Sequence, residues 1–174
     1  MGKITVEELV ARSRAAQEKF AFATQEQADA AAKAVCKVVY DHQEELGKLA
    51  AEETRMGNVQ DKIAKCRNKS ALIWNSIKHR KSVGVINRLE DQRMLEIAKP
   101  MGVVASVVPS TNPVVTPMSN AAFSLKCRNS VIFTPHPRAI KCTQLLVKMF
   151  REEMEKLGFP EDLILMVDEV SNEE

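Results

Sequence analysis

Proline is absent from the first 99 residues of this 174-residue chain; all seven prolines fall between Pro100 and Pro160. Such a stretch leaves helices uninterrupted, because proline removes a backbone donor and clashes with the preceding turn. Aromatic residues make up 5% of the chain, too few for a surface that stacks bases. The net charge is +2, with acidic residues interspersed among basic ones, so no nucleic-acid partner is expected. No apolar run approaches the roughly 18 residues of a membrane span, and no membrane partner is expected. The start, Met1-Gly2-Lys3-Ile4-Thr5-Val6, has no apolar signal-peptide core and misses the myristoylation pattern. A cytoplasmic location is the expectation.

The four cysteines, Cys36, Cys66, Cys127 and Cys142, form no CxxC pair and no Cys/His cluster with zinc spacing, so no metal site is predicted. They read as small buried hydrophobes in a reducing compartment. Cys142 stands apart, because a helix start near His136 and Arg138 would lower its pKa. No GxGxxG is present.

What remains is a globular chain, 45% hydrophobic and 28% charged, of one domain or a little more. Apolar spacing predicts helices over residues 6–22 and 25–51, then a restart at Val59 after Met56-Gly57-Asn58. Val6, Leu9, Val10, Ala16 and Phe20 face inward on the first. Ala28, Ala31, Ala32, Val35, Val39, Leu46 and Leu49 mark the second, and Ile63, Cys66, Ser70, Ile73 and Ile77 the third. Lys62, Lys65, Arg67 and Lys69 read as a solvated face. His79-Arg80-Lys81 suit a helix C-terminus. His42 reads as a surface or partly buried residue and Trp74 as core. Residues 82–88 and 94–98 alternate like a hairpin with one covered face.

From Lys99 the pattern changes. Val103, Val104, Val107 and Val108 predict a parallel strand covered on both faces. It runs into Pro109-Ser110-Thr111-Asn112-Pro113, where Asn112 suits an N-cap and Pro113 the first helical position. A helix with Val114, Met118, Ala121, Ala122 and Leu125 follows. Then come a strand at Ser130-Val131-Ile132-Phe133, a helix from about Arg138 to Leu157, and a strand at residues 163–167. This β-α-β-α-β order implies right-handed crossovers and a parallel sheet. The expected fold is α/β, with a helical layer (1–81), a β-hairpin arm (82–99) and a partial Rossmann-like domain (100–174).

The segments KPMGVVASVVPSTNP and KCRNSVIFTPHPRA resemble the cofactor-binding domain of the aldehyde dehydrogenase superfamily. PSTNP and TPHPRA resemble its CoA-acylating branch in particular. The helical start, the hairpin and the ending FPEDLILMVDE fit the same family. The resemblance implies NAD, or NADP, as cofactor and CoA as co-substrate in the intact relative. It implies that Val108, Pro109, Ser110, Thr111 and Asn112 line the cofactor cleft. Asn112 or Thr111 would donate to the developing oxyanion, which is typically worth about 10²–10³ in rate. Hydrolytic relatives carry an Asn where this chain has Thr111, so the choice stays open, as does a plain capping role for Asn112. Thr134, Pro135, His136 and Arg138 follow the second strand, where a doubly wound fold meets adenosine. His136 and Arg138 contact adenosine or a phosphate, or else form a rigid Pro-flanked turn.

The family's nucleophilic cysteine lies in a catalytic domain that this sequence does not reach. The chain closes on Ser171-x-x-Glu174, a capping-box pattern that announces a helix. The expectation is a cut-short amino-terminal part of an NAD-dependent CoA-acylating aldehyde dehydrogenase, inactive alone. Two alternatives stand. One is a non-catalytic module that joins a full-length subunit or self-associates through the hairpin, which in the family belongs to an association arm. The other is an unrelated small nucleotide-binding protein.

Overall fold

The structure, a computed structural model, describes residues 4–167, so the Ser171-x-x-Glu174 pattern lies outside the described residues. Threonines start the first two helices, α1 (Val6–Phe20) and α2 (Gln25–Asp41). Thr5 with Glu8, and Thr24 with Gln27, form reciprocal capping boxes. α1 stops two residues earlier than its periodicity predicts, and both Val6 and Phe22 are exposed.

The helix expected over residues 25–51 is two helices. α2 ends at His42 (φ −102°, ψ 24°), and α3 (Gln43–Thr54) restarts there with no side-chain cap. No Gly or Pro marks the break. The change of direction buries Leu46 and Ala50 and seats α3 on α4 (Val59–Ile77). At Gly47 the two helices nearly touch: a Cβ there would lie 2.7 Å from Ile63 Cγ1 and 2.8 Å and 2.9 Å from Ile63 N and Cα. Between α3 and α4, Arg55 and Gly57 take positive φ. Asn58 then caps α4 by accepting the Asp61 N–H at 2.8 Å.

β1 (Gly84–Leu89) and β2 (Met94–Ala98) form the hairpin, antiparallel with a bulge between Val85 and Asn87. Its expected covered face is open in this chain: Leu95 is 52% and Ile97 54% exposed. The second sheet holds β3 (Val103–Val108), β4 (Ser130–Pro135) and β5 (Ile164–Met166), parallel and in that order. α5 (Val115–Lys126) and α6 (Ile140–Lys156) make the crossovers of the expected α/β fold.

One sheet face, with Val108, Val131, Phe133 and Ile164, shares a continuous core with Val35, Val39, Leu46, Met118, Leu146 and Phe150. On the other face Leu9 of α1 covers Ile132 and Leu165. α1 does not reach the end of β3, so Val107 is 78% exposed and Ala105 is exposed too. This corrects the strand read as covered on both sides. A run of valines reports β-propensity and cannot say which layer lies above each residue.

The Lys126-Cys127-Arg128-Asn129-Ser130 segment knits these layers together. Buried Lys126 pairs with Asp29 of α2. Arg128 donates to the Ala21 carbonyl at 2.7 Å and the Ala98 carbonyl at 3.3 Å. Asn129 Oδ1 accepts the Met101 and Gly102 N–H groups at 2.6 Å and 2.9 Å. Ser13 donates to Ser130 Oγ at 2.8 Å, with both side chains fully buried. Polar groups so enclosed are nearly always paired, and pairing across elements sets their relative positions, although Arg128 Nε stays buried without a partner.

Candidate cofactor cleft

The two segments singled out in the sequence lie side by side at the carboxyl end of the sheet. The His136 N–H donates to the Val108 carbonyl at 2.9 Å, tying the end of β4 to the end of β3. This is where open α/β sheets bind ligands.

Val108 is buried, Ser110 half-buried, and Pro109 and Thr111 exposed. Asn112 does not cap a helix, contrary to the expectation. α5 begins at Val115, with Val114 in the cap position and no side-chain cap. Helical bonding starts from the Asn112 backbone instead, whose carbonyl accepts the Thr116 N–H at 3.3 Å. Proline at the first helical position is compatible with a cap, whose side chain accepts from the second or third helical N–H, but Asn112 Oδ1 takes neither. Asn112 Oδ1 is consequently buried without a partner. The amide nitrogen makes no protein hydrogen bond among the described residues and is not one of the buried unpaired atoms.

Lys62 is the residue that sequence reasoning missed. Its basic neighbourhood reads as a solvated face, yet its Nζ donates to the Thr111 carbonyl at 2.8 Å. Burial, and then repulsion from Lys65, lower its pKa. The signal was its spacing: Lys62 precedes Cys66 by four residues and Ser70 by eight, on the stripe that turns inward.

Thr134 and Pro135, expected after the second strand, are its last two residues, half-buried and buried, while His136 and Arg138 beyond it are exposed. His136 Nδ1 accepts the Arg138 N–H at 3.1 Å. The ring proton of the neutral imidazole therefore sits on Nε2, which is left as an outward donor. The start of α6 is closed to an anion by the chain's own carboxylate: Glu53 Oε1 and Oε2 accept the Lys141 and Cys142 N–H groups, both at 2.8 Å.

That carboxylate also overturns the expectation for Cys142. Burial, and then Glu53, push its thiol up to about 12 rather than down. Cys36, at about 12, and Cys66, at about 11, are raised by burial. These three are buried as expected, whereas Cys127 is exposed.

The α3–α4 hairpin thus crosses the carboxyl end of the sheet. On either side of its connecting turn, Glu53 in the last turn of α3 holds α6, and Lys62 in the first turn of α4 holds the turn after β3. The close contact at Gly47 joins the two arms.

Comparison with known proteins agrees with this geometry. The profile described as "Aldehyde dehydrogenase family" matches residues 1–173. The chain is 46% identical over 171 residues to succinate-semialdehyde dehydrogenase (acetylating) of Clostridium kluyveri, covering 98% of this chain and 38% of that protein. An acetylating aldehyde dehydrogenase from Geobacillus thermoglucosidasius superposes with TM-score 0.91 and 36% identity, over 96% of this chain and 37% of that one. Propionaldehyde dehydrogenase of Rhodopseudomonas palustris, solved with bound CoA and an acylated cysteine, superposes with TM-score 0.79 and 27% identity, over 97% of this chain and 38% of that one. The chain thus spans under two fifths of the length of these relatives. The match sets aside an unrelated nucleotide-binding protein. With its two turns joined at the end of a parallel sheet and matched over residues 1–173, the chain belongs to the aldehyde dehydrogenase family, as an amino-terminal portion of the CoA-acylating branch.

Proposed function

We propose that this chain supplies the dinucleotide-facing half of an enzyme that oxidises an aldehyde and CoA to acyl-CoA with NAD or NADP, and is inactive alone. The observation that carries this reading is Asn112, whose amide is neither a cap nor a partner of any described protein group, in a turn beside the cofactor face. A buried polar atom without a partner is rare in folded proteins and calls for a reason.

The residues present fit a dinucleotide. His136 Nε2 is an outward donor suited to a ribose hydroxyl or a phosphate, and Arg138 adds an exposed cation. Exposed Pro109 provides an apolar contact, backed from inside by the fully buried Val108, with Val107 open on the other face of the strand. NAD or NADP, when bound, supplies the hydride acceptor. Asn112 or Thr111 would donate a hydrogen bond to the oxygen that gains charge as the aldehyde carbon becomes tetrahedral, and their rigid placement would carry the benefit. The reduced, largely buried cysteines support a cytoplasmic site of action.

The test uses the chain itself. Titration with NAD, followed by amide NMR, is expected to shift Val108, Ser110, Thr111, Asn112, Thr134, His136 and Arg138 while no NADH forms from aldehyde and CoA. Shifts confined to other surfaces would refute the cleft; NADH formation at enzyme rates would refute the inactivity. A second reading, a partner module for a full-length subunit, rests on the open hairpin face of Leu95 and Ile97. Co-purification of the chain with a full-length subunit supports it, and a strictly monomeric chain sinks it.

A further inference from the structure

We propose that Lys62 is a positioning residue of the cleft, an inference that rests on the proposed role of the turn after β3. Its ammonium fixes the Thr111–Asn112 peptide and thereby aims the Asn112 amide.

Three observations carry this. The backbone bonds that hold the turn are long: Asn112 N–H to the Pro109 carbonyl is 3.4 Å and Thr116 N–H to the Asn112 carbonyl 3.3 Å. The Lys62 bond to the Thr111 carbonyl, at 2.8 Å and charge-assisted, is the shortest of the set. Second, Lys62 is half-buried and has no carboxylate within ion-pair distance among the described residues. Its neighbour Asp61 is held instead by Asn58, which donates to it at 2.6 Å, and Glu53 is spent on α6. A half-buried ammonium kept away from carboxylates has its directional partner in the Thr111 carbonyl, so removing it releases the turn rather than a salt bridge. Third, Lys62 is built in from a rigid base. It lies in the first turn of α4, next to Ile63, which meets α3 at Gly47, and its stem passes beside Gly57.

Fixing the Thr111 carbonyl fixes the plane of the following peptide, and with it the direction in which Asn112 leaves the backbone. With Oδ1 buried, the amide nitrogen, which has no protein partner among the described residues, is the group left free to donate. The ammonium does no chemistry in this proposal; it acts through the turn.

The direct measurement is the through-hydrogen-bond NMR coupling between Lys62 Nζ and the Thr111 carbonyl carbon in the unaltered chain. Its detection supports the contact, and its absence in a folded chain overturns the proposal without any variant. Lys62→Met then tests the consequence. Expected are a shift of the Asn112 side-chain amide resonances and about tenfold faster exchange of the Thr116 N–H, with exchange at Ala121 and Leu125 unchanged. Lys62→Arg, which keeps a cationic donor, is expected to restore both readouts. Unaltered Asn112 and Thr116 signals in Lys62→Met would refute positioning. Equal losses throughout α5, unrescued by Arg, would show a merely structural role and refute it too. The NAD-binding reading fails separately: if NAD shifts nothing in the unaltered chain while the Lys62 coupling is present, the dinucleotide site is wrong and the contact stands.

Discussion

Replacing Gly47 with alanine sets a gain in helix propensity against a clash between two backbones. Glycine inside a helix is less favourable than alanine by roughly 0.5–1 kcal/mol, so propensity alone predicts stabilisation. The new methyl would lie 2.7 Å from Ile63 Cγ1, 2.8 Å from Ile63 N and 2.9 Å from Ile63 Cα. The Cγ1 contact can be relieved by rotation of the Ile63 side chain. The other two belong to the main chain of α4, and only separation of the helices restores an ordinary carbon contact of ~3.5 Å. Overpacking of this kind costs about 1–3 kcal/mol. The clash therefore outweighs the propensity gain, and Gly47→Ala is expected to lose about 1–2 kcal/mol net. For a chain of this size that lowers the unfolding midpoint by about 2–8 °C. Thermal and urea unfolding at fixed protein concentration measure it. The parting of α3 from α4 also draws Lys62 away from Thr111, so the same variant should weaken the Lys62–Thr111 coupling. A Gly47→Ala chain more stable than the original would refute the reasoning, because only the propensity term would then be present.

Other perturbations have equally definite signs. Glu53→Ala leaves the Lys141 and Cys142 N–H groups without their carboxylate. A loss of about 1–2 kcal/mol is expected in urea unfolding, with Glu53→Gln falling between the two, as for helix caps elsewhere. Asp162 is hydrogen-bonded by Arg12 and faces Arg151, which together hold its carboxyl below the ordinary value of 3.8. A depressed carboxylate stabilises the fold above its unfolded pKa and loses that contribution as pH falls through the folded value. Asp162→Asn should therefore lower stability at neutral pH and flatten its decline below 3.8, in unfolding followed against pH. The open hairpin face should drive self-association, so sedimentation should show a concentration-dependent species that the double variant Leu95→Lys, Ile97→Lys removes.

Local chemistry explains which features were legible in the sequence. The restart at Asn58 was legible because a short oxygen-bearing side chain there satisfies an exposed backbone donor, and the structure shows Thr5 and Thr24 doing the same for α1 and α2. Gly158 stops α6 with positive φ, as its position predicts. The β-α-β-α-β order followed from apolar runs and punctuation, and the family followed from the segments around Asn112 and His136. Where local rules conflicted with packing, packing won. The break at His42 has no Gly or Pro because it serves the seat of α3 on α4. Asn112 has the chemistry of a cap, yet helix α5 starts from its carbonyl and leaves the side chain free.

By itself, the sequence determined the β-α-β-α-β order, the parallel connection, the family and the two turns that meet at the carboxyl end of the sheet. The order of elements depends on periodicity and short-range bonding, which neighbours along the chain decide, and the family on the resemblance of the segments around Asn112 and His136. Only the tertiary structure decided that Val107 is open, that Cys142 is a buried thiol beside Glu53, and that Lys62 reaches Thr111. Each of these depends on which residue arrives from a distant part of the chain. Lys62 and Thr111 are 49 residues apart, and Glu53 and Cys142 are 89 apart. No spacing within a single helix or strand encodes such meetings, because they are set by the packing of one layer on another.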